Sequence, residues 1–199
     1  MPHSSFCALL LAGGRSVRMG RDKALLDCEG QPLWLMQARK LQALQPERLF
    51  IACREEQGLH EAAPVDLKIK WLFDPPGSDV GPMGPVLALL DQVQNPLLVL
   101  AVDMPNMTTC FLEEAVALTT PENGLFFTAA DGIEPLAGLY VPSMLPLLQG
   151  AFEAGQYSLR QVLRQAQNQG LAEILPVSEM DNTLFANANT PEEWQQTGK

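Results

Sequence analysis

The chain has 199 residues, 47% apolar and 18% charged, with a formal net charge of −10. That length and composition suit one folded domain, residues 1–199, with a substantial core. The acidic balance argues against binding nucleic acid or an anionic membrane surface, and no apolar run approaches the ~20 residues of a membrane span.

The N-terminal segment Met1-Pro2-His3-Ser4-Ser5 has no basic region ahead of the apolar run at 6–11, so a cytoplasmic location is expected. That run reads as a buried first strand, and a loop, Ala12-Gly13-Gly14-Arg15-Ser16-Val17-Arg18-Met19-Gly20-Arg21-Asp22-Lys23, follows it. Four of the 13 Lys and Arg residues (Arg15, Arg18, Arg21, Lys23) fall within this loop. Glycines that let backbone N–H groups approach an anion, next to cations that neutralise it, form a place to hold phosphate. Open α/β sheets bind ligands outside the carboxyl ends of their strands, which is where the loop falls. It fits neither the Walker pattern nor G-x-G-x-x-G, because Gly13 and Gly14 are adjacent and Arg21 follows Gly20.

A turn at Glu29-Gly30-Gln31-Pro32 precedes a predicted helix over 33–44. Strands are expected at 48–53 and 68–73, then a Pro- and Gly-rich loop over 74–85 and a helix over 86–93. The unbroken apolar run 97–102 suits a central parallel strand and ends in Asp103-Met104-Pro105. A helix over 110–118 follows the cap candidates Thr108 and Thr109. Strands at 125–129 and 136–141 flank an Asp131-Gly132 turn. Helices over 143–154 and 159–167 lead to a strand near 171–175 and a last one at 184–186. Asn187-Ala188-Asn189 then precedes a terminal helix opened by Thr190-Pro191. The alternation implies a three-layer αβα Rossmann-like α/β fold with a mainly parallel sheet.

The four cysteines (Cys7, Cys28, Cys53, Cys110) contain no C-x-x-C pair, and His3 and His60 are the only histidines. Metal-finger and histidine-triad chemistry are therefore hard to build. Between Lys70 and Arg160 there is no cation, yet Asp74 and Asp103 close two strands. A carboxylate beside a phosphate site repels the ligand unless a cation lies between them. Mg²⁺ fits, since it takes one or two carboxylates plus phosphate oxygens and water. Asp103 is read as functional. Asp74 is balanced between a site residue and a turn residue of Asp-Pro-Pro-Gly.

The segment from Leu11 to Lys23 resembles the L-A-G-G-x-x-x-R-M-G-x-D-K signature of the molybdenum cofactor guanylyltransferases, the MobA-like nucleotidyltransferases. Leu98-Val99-Leu100-Ala101-Val102-Asp103-Met104-Pro105 is similar to that family's apolar strand ending in D-x-P. Glu134-Pro135-Leu136-Ala137-Gly138-Leu139-Tyr140 resembles its P-L-x-x-[LV]-Y strand, and Asn187-Ala188-Asn189-Thr190-Pro191-Glu192-Glu193 its N-x-N-T-P-E-[ED] segment. The resemblance implies transfer of GMP from GTP to molybdopterin, giving the guanine dinucleotide cofactor and diphosphate. It implies that Leu11, Ala12, Gly13 and Gly14 line the nucleotide and that Lys23 and Arg18 neutralise its phosphates. Asp103 would carry Mg²⁺, Asp74 would hold the guanosine, and Asn187 and Asn189 would lie on the acceptor side. Such a protein would handle GTP and a molybdopterin-type acceptor, without nucleic acid or membrane, in transient contact with cofactor-supplying or molybdoenzyme maturation proteins.

Two departures stand out. Gly81-Pro82-Met83-Gly84-Pro85 replaces the family's common G-P-L-A-G, and the strand at 48–53 runs into Cys53-Arg54 where relatives offer a polar side chain near the guanine. Gly13 itself favours the guanine branch over relatives that read L-A-A-G. The competing readings are a related nucleotidyltransferase using CTP or a sugar phosphate, and a GTP-binding maturation adaptor without turnover.

Overall fold

The computed structural model describes residues 5–14, 22–75 and 80–187. Strand β1 (Cys7–Leu11) is followed, beyond a short 3₁₀ turn at Lys23–Leu25, by a hairpin of β2 (Asp27–Cys28) and β3 (Gln31–Pro32). Its tip, Glu29-Gly30, has both residues at positive φ (55° and 80°), as a two-residue type I′ connection requires. Helix α1 (Leu33–Ala43), β4 (Arg48–Cys53), β5 (Ile69–Phe73), α2 (Met83–Gln92) and β6 (Leu97–Ala101) come next. Then follow α3 (Thr109–Leu118), β7 (Gly124–Ala129), β8 (Gly132–Tyr140), α4 (Leu145–Glu153), α5 (Leu159–Asn168) and β9 (Ala172–Pro176).

Seven strands form one sheet in the order β5-β4-β1-β6-β8-β7-β9. Pairings β4–β5, β1–β4, β1–β6 and β7–β9 are parallel; only β8 runs against its neighbours, β6 and β7. Alternate strand residues point to opposite faces. Ala8, Leu10, Ile51, Leu98 and Leu100 enter one core with Trp34 and Leu41 of α1 and Leu112 of α3. Cys7, Leu9, Phe50, Leu97 and Val99 enter the other with Val86 and Leu89 of α2, Leu148 of α4 and Val162 of α5. Because both faces are covered, β1 and β6 are apolar at every position, and the expected three-layer arrangement results. Helix α5 buries Leu159, Val162, Leu163 and Ala166, the i, i+3, i+4, i+7 stripe of an amphipathic helix. No helix among the described residues is long and apolar enough to cross a membrane.

Most predicted elements appear within a residue or two of their expected limits, with three differences. Helix α2 begins at Met83 rather than 86, because Pro85 falls in its first turn, where a missing N–H leaves no bond unmade. Strand β8 begins at Gly132 and carries Pro135 within it; the pairing with β7 shifts register between Leu125 and Phe127. The expected strand at 184–186 is instead a 3₁₀ turn, Asp181–Phe185. Its buried Phe185 packs edge-on against Phe111, with ring centroids 5.3 Å apart, so one aromatic anchor decides the conformation. The expected terminal helix lies outside the described residues.

Candidate active site

From β1 the chain winds outward through β4 to β5, then crosses back to place β6 on the other side of β1. The boundary between β1 and β6 is therefore a topological switch point, where the carboxyl ends of neighbouring parallel strands leave a crevice. A cavity of about 730 Å³ opens there. Its wall brings together Leu11 at the end of β1, Ala12, Gly13 and Gly14 just past it, Lys23, Asp74 after β5, and Asp103 after β6; Pro82 and Pro85 at the start of α2 close one side.

Lys23 and Asp103 meet directly, with 3.0 Å between Nζ and Oδ2 and side chains 15% and 25% exposed. Each is held from behind. The turn that carries Lys23 is capped by Asp22, whose carboxylate accepts from the Ala24 N–H (3.0 Å). The Asp103 turn is pinned by α1: the buried Gln37 donates from Nε2 to the Met104 carbonyl (2.7 Å), and Lys40 donates from Nζ to that of Pro105 (2.8 Å). Burial pulls the Lys40 ammonium below the ordinary lysine range.

Asp74 continues β5 by donating its N–H to the Cys53 carbonyl (2.9 Å). Burial pushes its carboxyl above the ordinary aspartate range, Arg54 opposes that rise, and Glu56 adds to it. The neighbouring Cys53 thiol, buried and close to Asp74, is pushed up to about 11. Gly13 lies against Asp74 so closely that a Cβ there would collide with the Asp74 carboxylate and meet the Cys53 Cα at 3.4 Å. The restriction on residue 13 thus comes from the opposite wall of the protein as well as from any ligand.

A second network ties the glycine loop to the segment after β4. Arg54 donates from Nη1 to the carbonyls of Gly13 (2.7 Å) and Gly14 (2.9 Å), from Nη2 to Asp22 (2.9 Å) and from Nε to Glu56 (3.1 Å). Gln57 donates from Nε2 to the Ala12 carbonyl (2.9 Å) and to Asp22 (2.8 Å). On β8, Glu134 is buried and paired with Arg160 of α5 at 3.1 Å. Burial raises its carboxyl, opposed by Arg160 and assisted by Asp131 and Asp103.

Of the residues expected in the site, Leu11, Ala12, Gly13, Gly14, Lys23, Asp74 and Asp103 share the cavity. Asn187 does not line it; among the described residues its buried Oδ1 has no hydrogen-bond partner. Arg18 and Asn189 lie outside the described residues. Arg54, Gln57 and Gln37 brace the site, and no motif in the sequence marks them. A signal existed for Gln37, the one polar residue among buried Leu33, Trp34, Met36, Ala38 and Leu41 on α1. Arg54 and Gln57 sit where a strand runs out towards the cavity, and their reach to the loop is visible only in three dimensions.

Residues 8–171 match the family model described as the MobA-like NTP transferase domain. The chain belongs to that family. Among similar MobA-like proteins are a probable molybdenum cofactor guanylyltransferase of Synechococcus elongatus, 33% identical with 96% of this chain and 97% of that protein covered. The molybdenum cofactor guanylyltransferase of Pseudomonas putida is 32% identical, with 94% of each covered. The solved structure of molybdopterin-guanine dinucleotide biosynthesis protein A from Archaeoglobus fulgidus superposes with a TM-score of 0.73 at 22% identity, covering 96% of both chains, and so shares the MobA-like fold.

Proposed function

We propose that this protein transfers GMP from GTP to molybdopterin, forming the guanine dinucleotide cofactor and releasing diphosphate. The observation that carries this reading is the Lys23–Asp103 pair in the wall of a cavity at the β1/β6 switch point. It sets a phosphate-binding cation beside a carboxylate suited to a hard metal ion. Its relatives' names, molybdenum cofactor guanylyltransferase, support the reaction.

The acceptor's phosphate is already anionic at neutral pH and attacks the α-phosphorus of GTP without a general base. The site then acts by positioning and charge stabilisation. Lys23, joined by Arg18, neutralises charge on the departing diphosphate, and the N–H groups of Gly13 and Gly14 donate to phosphate oxygens. Leu11 and Ala12 line the nucleotide. Asp74 presents a partly desolvated acceptor to the N–H groups of the nucleoside, and Asn187 and Asn189 serve the acceptor side.

Asp103 would hold a divalent cation, Mg²⁺ in this reading. The residues fit: its oxygens are hard donors, and no cluster of three or more His, Cys, Asp or Glu able to cage a metal exists among the described residues. That suits an ion completed by phosphate and water. When bound, such an ion offsets the charge of the phosphates.

The test is a panel of four nucleoside triphosphates with molybdopterin or sugar phosphates as acceptors, scored for diphosphate and dinucleotide. GTP with molybdopterin is expected to dominate. Preference for CTP or a sugar phosphate, or GTP binding with no diphosphate from any acceptor, overturns the proposal.

A further inference from the structure

The Arg54 guanidinium sits at the cavity wall, yet all three of its nitrogens are engaged by protein: two loop carbonyls, the Asp22 carboxylate and the Glu56 carboxylate. Its charge is met by two acids, so it is poorly placed to bind an anionic ligand itself. What it does hold is peptide orientation. In a trans peptide the C=O and the following N–H point in opposite directions. Gln57 holds the Ala12 carbonyl at 2.9 Å and Arg54 holds the Gly13 carbonyl at 2.7 Å. The N–H groups of Gly13 and Gly14, which share those two peptides, are therefore turned the other way. Among the described residues neither N–H has an acceptor. Successive N–H groups aimed to one side form an anion-binding concavity. A glycine-rich segment without Cβ atoms needs an external brace to keep that arrangement, since its own backbone prefers no single conformation.

We infer that Arg54 and Gln57 are positioning residues that set the Gly13 and Gly14 amides as a receptor for the triphosphate, acting through the loop and not by contact with the ligand. The inference deepens the nucleotidyltransferase reading above and rests on it for the identity of the anion. Asp22 is the hinge of the brace: it accepts from both Arg54 and Gln57 and also caps the turn that carries Lys23. One network therefore sets the amides and the lysine against each other.

The decisive variant is Arg54→Lys, which keeps the charge but cannot span two carbonyls and a carboxylate with a planar fork. Arg54→Ala and Gln57→Ala accompany it. Binding of magnesium tripolyphosphate and, separately, of guanosine is measured by calorimetry on the whole protein, with GTP kinetics beside it. The expected result is that Arg54→Lys and Arg54→Ala each weaken tripolyphosphate binding roughly tenfold to hundredfold, the range for losing preorganised charge-assisted donors. KM for GTP rises, guanosine affinity stays within about twofold, and Gln57→Ala follows in the same direction.

Wild-type affinity for tripolyphosphate in Arg54→Lys overturns the inference, because charge alone then suffices. Equal loss of guanosine and tripolyphosphate also overturns it, since the whole cavity has then been disturbed. Failure of the unaltered protein to make dinucleotide while these differences persist refutes the reaction and leaves the brace standing.

Discussion

The Lys23 ammonium and the Asp103 carboxylate are 80 positions apart in the chain and 3.0 Å apart in space. Neither belongs to the sheet: Asp103 stands on the turn just past β6 and Lys23 on the 3₁₀ turn Lys23–Leu25, and hydrogen bonds from α1 and to Asp22 fix those two turns. In the absence of ligand each offsets the other's charge. With nucleotide and metal bound, each would gain a stronger counterpart, which leaves the pair available for exchange instead of locked.

Asp103→Asn should lower turnover roughly hundred- to thousandfold, the scale for removing one preorganised electrostatic group. The midpoint of thermal unfolding should fall only modestly, since the amide oxygen left at position 103 can still accept from the part-buried Lys23 ammonium. Diphosphate release at saturating GTP in magnesium buffer reads the first, and circular dichroism melting the second. A near-normal rate would remove Asp103 from the metal.

Gly13→Ala should displace the Asp74 carboxylate and raise KM for GTP about tenfold, whereas in an Asp74→Ala background the same methyl group should cost much less. The double-mutant cycle on KM tests this. Additive effects would mean that the two residues act separately.

Asp74→Asn should trade affinity for stability. Burial raises the folded-state pKa of Asp74 above its unfolded value, so the folded protein favours the protonated carboxyl. That contribution is present below the unfolded pKa and is lost as pH rises through the raised folded value. At neutral pH the ionised, partly desolvated group therefore weakens the fold, and the amide relieves it. The melting midpoint of Asp74→Asn should exceed that of the unaltered protein at neutral pH, and the gap should close in acid while GTP affinity stays lower. An equal gap across the range would rule out this linkage.

Gln37→Leu should destabilise the fold by about 1–3 kcal/mol, because the buried Met104 carbonyl loses its donor. Turnover should fall as well, since the turn bearing Asp103 is no longer pinned. Urea unfolding followed by kinetics under native conditions separates the two effects.

The layers and the sheet were legible because β1, β4 and β6 are apolar at nearly every position, a pattern that only strands covered on both faces sustain. That Gly13, Asp74 and Asp103 would meet was legible for a related reason: parallel strands deliver their carboxyl ends to one edge, so residues just past each strand converge, whereas Lys23 stood out through the cations gathered in the glycine loop. The braces were not. Gln37 and Gln57 reach carbonyls 67 and 45 positions away, and Arg54 reaches Gly13 over 41, distances that local patterning does not encode. The strand expected at 184–186 failed because a three-residue apolar run carries too little period to separate a strand from a turn with one aromatic anchor.

Strand β1 is flanked on one edge by β4 and on the other by β6, both in parallel register. Parallel neighbours cannot be joined by tight hairpins, so every ladder around the glycine loop closes a long stretch of chain. A nascent polypeptide must extend past Ala101 before its first strand gains its second neighbour, and a fragment ending earlier has half a crevice with an open edge. Nucleotide capture should therefore emerge late and all at once during folding, as a property of the completed sheet.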